Sequence, residues 1–199
     1  MTHERPLALF DLDGTLTRRD TLSDLLYHAF GPWQVVRRAL PLVPTLLGVP
    51  LGRIHRDIAK TAVLRAFFGG MPEAEFAGLA REYATNGLPR LLRPMAEARL
   101  RWHIQQGHRV IVISASLQDW IEPWAQGLGI EVIASRAERQ QGRLTGQLAG
   151  PNCRGEEKVR RLTERLDPQA YAPVYAYGDT DGDTAMLALA DHPVYRGLR

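Results

Sequence analysis

The chain has 199 residues, a formal net charge of +3 and 45% hydrophobic residues, enough for one ordinary domain with a real core, or one domain carrying an insertion. Its basic residues are spread along the whole length with no Lys/Arg run, which excludes a nucleic-acid-binding arm. A single cysteine, Cys153, excludes an internal disulfide and fits a reducing compartment.

The first residues, "MTHERPLALFD", place charge on both sides of a very short apolar run and do not form a secretory signal, so a cytoplasmic location is expected. Residues 7–10 read as a short buried strand. A mostly helical stretch follows from about Ser23 to about Tyr83, broken at Gly31-Pro32, at Pro41, Pro44 and Pro50, and at Gly69-Gly70. "TNGLPRLLRP" (85–94) reads as a return linker. A regular alternation then begins: a helix around 95–106, the strand "RVIVIS" (109–114), and a helix from about Leu117 that contains Pro123. After these come the strand "IEVIAS" (130–135), a hairpin-like "AERQQGRLTGQL", a helix over 155–166, the strand "PVYAYG" (173–178) and a helix over 183–190. His103 and His108, five apart, do not share a helix face, and no histidine pair has metal-ligand spacing.

Short apolar strands alternating with amphipathic helices predict an α/β fold, a parallel sheet with helices on both faces. Residues 1–17 and 91–199 would form this core, and residues 18–90 a helical insertion. In open α/β sheets, ligands sit beyond the carboxyl ends of the strands. Three strand ends carry the polar residues here: Asp11 and Asp13, then Ser114, then Asp179.

Carboxylates converging on one crevice repel unless a cation or proton separates them. Asp11 and Asp13, joined by Asp179, Asp181 and Asp183 of "YGDTDGDTAM", offer oxygen donors without thiol or imidazole partners, the ligand set of Mg²⁺. Mg²⁺ commonly shares its shell with phosphate oxygens, so a phosphoryl substrate follows. Ser114 can donate a hydroxyl to it. Lys158 is one of only two lysines in an arginine-rich chain, the other being Lys60, which suggests a compact point charge near a helix start. Asp11 is then the candidate nucleophile and Asp13 the candidate acid/base.

"DLDGT", Ser114, Lys158 and "GDTDGD" resemble, in order, the four signature motifs of the haloacid dehalogenase phosphatase superfamily, and the match covers nearly the whole chain. The helical insertion resembles the cap of the phosphoserine-phosphatase-like branch. The resemblance implies a Rossmann-like core and an aspartyl-phosphate on Asp11. It implies Mg²⁺ held by Asp11, the Asp13 carbonyl and Asp179, with Asp183 steadying the metal shell and Lys158. It places Gly14, Thr15, Ser114, Ala115 and Lys158 at the phosphate. The superfamily's dehalogenases lack the second acid of the first motif, so Asp13 favours phosphate-ester hydrolysis. A receiver-like phosphoacceptor module and an inactive scaffold are the alternatives. The receiver pattern is shorter, has no helical insertion and places its acidic pair upstream of the phosphoacceptor strand, and no motif position is missing here.

Two features bear on the substrate. Asp20 lies where phosphoserine phosphatases carry an acidic residue that reads the amino group, and it is equally placed as a helix N-terminal charge. Residues 37–56, "RRALPLVPTLLGVPLGRIHR", hold thirteen nearly uninterrupted apolar or small residues from Ala39 to Leu51, flanked by Arg37, Arg38, Arg53 and Arg56 with Trp33 before them. They are too few and too proline-rich to span a bilayer. Two readings stand: a peripheral membrane contact at the inner membrane face, similar to the apolar cap segment of C-type phosphatidylglycerophosphatases, or buried cap helices with Leu40, Leu42, Val43, Leu46 and Leu47 turned inward. The substrate is accordingly a small phosphorylated metabolite such as phosphoserine, or a phospholipid head-group phosphate. After the fourth motif about fifteen residues remain, ending "HPVYRGLR", where relatives continue with another strand and helix; the sheet is expected to lack that edge.

Overall fold

A computed structural model describes residues 5–198. The apolar tetrapeptide of β1 (Leu7–Phe10) is fully buried, because it is the middle strand of a five-stranded sheet. The chain then enters helices: α1 (Thr21–Ala39), α2 (Val43–Gly48), α3 (Arg56–Phe68), α4 (Glu73–Asn86), α5 (Leu88–Leu91) and α6 (Pro94–Gln105). It returns to the sheet with β2 (Arg109–Leu117), crosses through α7 (Gln118–Leu128) to β3 (Glu131–Ser135), and makes a hairpin of β4 (Ala137–Gln140) and β5 (Arg143–Leu148). Next come α8 (Glu156–Thr163), β6 (Val174–Gly178), the short α9 (Thr184–Leu187) and β7 (His192–Tyr195).

The sheet order is β3-β2-β1-β6-β7, every neighbour pair parallel. This is the α/β architecture that the alternation of strands and helices predicts. Its faces are covered on both sides, as parallel sheets require. Period-two alternation sends Ala8, Phe10, Val110 and Val112 into one core cluster, and Leu7, Leu9, Ile111 and Ile113 into the other. Phe10 lies opposite Val112 on one side and Tyr177 on the other, so the next residues of all three strands emerge at the same end.

The outgoing and returning chain run side by side where the helical stretch leaves the sheet. Thr17 bridges Leu92, Arg18 N–H donates to the Leu91 carbonyl (2.9 Å) and Arg93 N–H to the Leu16 carbonyl (2.8 Å).

Three differences from the sequence expectation have physical reasons. The sheet does have an edge after β6: "HPVY" pairs with it from Tyr175↔His192 to Gly178↔Tyr195, a strand too short and too exposed to show a period. β2 runs on past Ser114 to Leu117, its register with β3 shifting between those two residues. His103 and His108 do meet, Nδ1 to Nδ1 at 2.8 Å, because α6 ends between them and the chain turns back through Gly107.

That histidine contact fastens the sheet beneath the strand ends. His103 is fully buried, its Nε2 lies 2.9 Å from the Tyr177 hydroxyl, and Tyr177 stacks on Phe10 with centroids 4.4 Å apart. Burial, then the neighbouring His108 and Arg99, hold the His103 pKa down at about 3. The folded protein therefore refuses a proton that an unfolded histidine accepts near pH 6.5. This contribution to stability is therefore whole above pH 6.5 and is lost progressively as pH falls toward 3. Urea unfolding of the wild type and His103→Gln between pH 7.5 and 5 is expected to show a steeper acid loss in the wild type, by roughly 1 kcal/mol per pH unit. Parallel curves would remove His103 from the account.

Candidate active site

The apolar run of β1 ends in Asp11, and the chain turns at once through Leu12–Leu16. Gly14 makes this turn at φ 89°, and a Cβ there would sit 2.5 Å from Asp179 Oδ2, so the glycine is needed both for its backbone and for the room it leaves. Asp11 Oδ1 accepts from Lys158 Nζ at 2.6 Å. The same ammonium donates to Asp183 Oδ1 (2.7 Å) and to the Ile113 carbonyl (2.8 Å), which uses all three of its protons. Asp183 turns its other oxygen to the N–H groups of Asp179 (3.2 Å) and Thr180 (3.0 Å) and to the Thr180 hydroxyl (3.0 Å). Gly178 is what lets Asp183 fold back so closely: a Cβ there would lie 2.5 Å from Asp183 Cβ.

Lys158 is only 2% exposed. Burial by itself would strip its proton, but Asp11 and Asp183 outweigh that and hold its pKa above the ordinary lysine value. The same ammonium holds Asp183 below the usual carboxylate range although burial opposes it. Asp11 behaves differently. Burial, together with Asp183 and Asp13, pushes its carboxyl up to about 7 against the pull of Lys158. One ammonium does not neutralise this many carboxylates.

Asp13 faces another set of donors. Its Oδ1 accepts the Thr21 N–H (2.7 Å), and its Oδ2 accepts the Ser116 hydroxyl (2.6 Å) and, more distantly, that of Ser114 (3.4 Å). Thr21 is fixed in turn by the Trp120 indole N–H (3.2 Å) and by its own hydroxyl on Ser116 Oγ (3.0 Å). Burial, and then the charge of Asp20, raise the Asp13 carboxyl to about 6.

A cavity of about 390 Å³ opens over these groups. Asp11, Asp13, Gly14, Asp20, Ala115, Lys158 and Asp183 line it, all of them residues that the sequence singles out. Ser114 is fully buried behind Ala115 and does not line it; its oxygen accepts the Ser116 N–H at 3.0 Å. Thr15 reaches Asp179 Oδ1 (3.3 Å) instead. Asp20 caps α1, its Oδ1 accepting the Ser23 N–H at 2.7 Å, while also lining the cavity. Asp181 is drawn outward to Arg154. Cys153 is fully buried with its thiol pKa raised by that burial, as suits an inert thiol.

Several lining residues are not placed in the site by the sequence: Ser116, Arg56, Lys60, Asn152 and Arg154. Lys60 is the notable one. From α3 its ammonium reaches the Ala115 carbonyl and Asn152 Oδ1, while Asn152 Nδ2 donates to Asp57 Oδ1 at 2.6 Å. Burial lowers the Lys60 pKa to about 8, although Asp13, Asp57 and Asp20 pull it back up. The scarcity of lysine that draws attention to Lys158 applied equally to Lys60.

Asp11, Asp179 and Asp183 each offer an oxygen within 4.8 Å of the other two. Hard oxygen donors with an uncompensated negative charge fit a divalent cation such as Mg²⁺. Lys158 and the Thr180 turn already engage both oxygens of Asp183, which suits it to orient the cluster, whereas Lys158 engages Asp11 at Oδ1.

The family model for haloacid dehalogenase-like hydrolases matches residues 8–188. Protein CicA of Caulobacter vibrioides is 39% identical over 202 residues, covering 100% of this chain and 89% of that one. A histidinol-phosphatase of Neisseria meningitidis is 29% identical, covering 94% and 88%. A protein of unknown function from Bordetella pertussis superposes with a TM-score of 0.79 at 26% identity, covering 96% of this chain and 88% of that one. A substrate-bound phosphoserine phosphatase shares the fold at a TM-score of 0.66 and 18% identity, covering 98% and 86%. The chain belongs to the haloacid dehalogenase-like hydrolases and shares its fold with phosphoserine phosphatase structures.

Proposed function

We propose that the protein hydrolyses phosphomonoesters through a phosphorylated Asp11 with Mg²⁺ as cofactor. The observation that carries this reading is the pairing of two differently held aspartates over one cavity: Asp11 on the Lys158 ammonium, and Asp13 on the Thr21 and Ser116 donors. An Asp11 oxygen attacks phosphorus, the bond to the ester oxygen breaks, and Asp13 gives that oxygen its proton. Asp13 then takes a proton from water as the water attacks the aspartyl-phosphate, releasing inorganic phosphate and restoring Asp11. An Asp13 carboxyl whose pKa is lifted to about 6 suits a group that must carry a proton in one half-reaction and lose it in the next. Mg²⁺, held by Asp11, the Asp13 carbonyl and Asp179 and steadied by Asp183, would supply the positive charge that Lys158 alone does not. Gly14 and the Ala115–Ser116 end of β2 would surround the phosphate, with Thr15 and Ser114 behind them. Residues 18–90 would act as the cap that closes the cavity from above, contributing Asp20, Leu22, Arg56 and Lys60.

The substrate is either a small phosphorylated metabolite such as phosphoserine or a phospholipid head-group phosphate. The names of the phosphatase relatives support the first, since histidinol phosphate and phosphoserine both bear an amino group that Asp20 could read. The second rests on residues 37–56, and carries with it a peripheral contact at the inner membrane face.

With phosphoserine and p-nitrophenyl phosphate as substrates, Asp11→Asn is expected to lower turnover at least about a thousandfold, and chelation by EDTA to abolish turnover until Mg²⁺ is restored. Normal turnover by Asp11→Asn would overturn the assignment of the nucleophile. Asp13→Asn is expected to slow hydrolysis while still permitting ³²P capture on Asp11.

Lys158→Met tests the buried network separately. In EDTA at pH 7.5 it is expected to lower the urea-unfolding free energy by about 3 kcal/mol, because two buried carboxylates lose their cation. The gap should narrow toward pH 5, where those carboxyls neutralise by taking protons. Equal stability at both pH values would show that the ion pairs carry no weight.

A further inference from the structure

The helical stretch keeps one side of itself unpacked. Leu25, Leu26, Val35, Leu64, Phe67 and Phe68 form its interior. Facing away are Trp33, Val36, Leu40, Val43, Leu47 and Leu51, with Trp33 77%, Leu40 68% and Leu51 65% exposed. Trp33, Val36 and Leu40 recur at three and four residues along α1 and so share one face, opposite buried Val35. Leu40–Leu42 and α2 bury no side chain larger than hydrogen, so the inward-packed reading of Leu40, Leu42, Val43, Leu46 and Leu47 is not what the fold adopts. Exposed apolar side chains clustered in this way mark an interaction surface.

The charge of the same segment identifies the occupant. From Leu25 to Arg56 there is no Asp or Glu, yet there are four arginines. Arg38 is used internally, its guanidinium on the Phe67 carbonyl and over the Phe30 ring. Arg37, Arg53 and Arg56 stay exposed, and neither Arg37 nor Arg53 makes an ion pair among the described residues. A second copy of the chain would bring the same cations against themselves across a two-fold contact. An anionic lipid surface offers apolar depth and negative charge together. No described helix is long and apolar enough to cross a membrane, and the segment is broken at Gly31 and again after Ala39, so it would lie in the interface.

We infer that the exposed face of residues 33–53 is a docking surface for an anionic lipid membrane. The chain on either side of the segment reaches the cavity: Leu22 in the first turn of α1 and Arg56, just after Arg53 at the start of α3, both line it. Docking therefore sets the cavity rim beside the head groups, which deepens the phosphatase reading by favouring an ester presented at a membrane. Binding is measured without turnover, so the two readings stand or fall separately.

The experiment is flotation of the full chain with phosphatidylglycerol/phosphatidylcholine vesicles, against phosphatidylcholine alone and against 0.5 M NaCl, alongside the oligomeric state by light scattering. Binding to anionic vesicles at least about tenfold stronger than to neutral ones, and weakened by salt, is expected. The double variant Trp33→Ser/Leu47→Ser should lose at least about tenfold of that binding while keeping hydrolysis of p-nitrophenyl phosphate unchanged. No binding, binding indifferent to lipid charge, or full binding by the variant would overturn the inference. So would a dimer that the variant breaks apart, since a second copy would then occupy the face. Lack of hydrolysis by the wild type, with vesicle binding intact, would count against the phosphatase reading alone.

Discussion

The ammonium of Lys158 is the point on which the rest of the site depends. It lies between Asp11 after β1, the Ile113 carbonyl of β2 and Asp183 beyond β6, and so ties the ends of three strands that are far apart in sequence. Burying a lysine this deeply is costly unless every proton finds an acceptor and a carboxylate answers its charge. Here both conditions hold, and among the described residues no buried side-chain polar atom lacks a partner. The close fit extends into the backbone. Gly14 and Gly178 sit where any side chain would collide with Asp179 or Asp183, so the carboxylates are positioned by the absence of atoms as much as by hydrogen bonds.

Much of this was legible in the sequence because it is local. An apolar tetrapeptide that stops at Asp11, a strand that reaches Ser114 and another that reaches Asp179 are each visible in a short window, and a parallel sheet places their ends together. What was not legible depends on pairings across long stretches of chain. Ser116, rather than Ser114, makes the short hydroxyl contact with Asp13, because β2 continues past Ser114 through an irregular register. Lys60 and Asn152 are 92 residues apart, and no periodicity links them. The strand at His192–Tyr195 carries no hydrophobic alternation that could reveal it.

The segment around Leu40 to Leu51 shows a different limit. Its composition is the same whether its leucines pack inward or face outward, and prolines at 41, 44 and 50 erase the helical period that would choose between the two. The interior of the helical stretch is filled instead by side chains such as Phe67 and Phe68. Asp20 shows the converse, a residue legible for two roles at once. Capping α1 and lining the cavity require only that one oxygen hold the Ser23 N–H while the charge still reaches Asp13.

The hairpin of β4 and β5 looks like an ornament on the sheet, yet it is welded to the helical stretch. Gly70 and Glu73 donate to the carbonyls of Leu144 and Gly142, Leu144 donates back to Met71, and Gly146 lies so close to the Arg65 backbone that a Cβ would be 2.4 Å away. Together with the paired crossings at Thr17 and Leu92, this gives the helices a third attachment to the core. A helical stretch held by the hairpin as well as by its two crossings does not swing like a door on one hinge. Its freedom is that of a plate bolted along its edge.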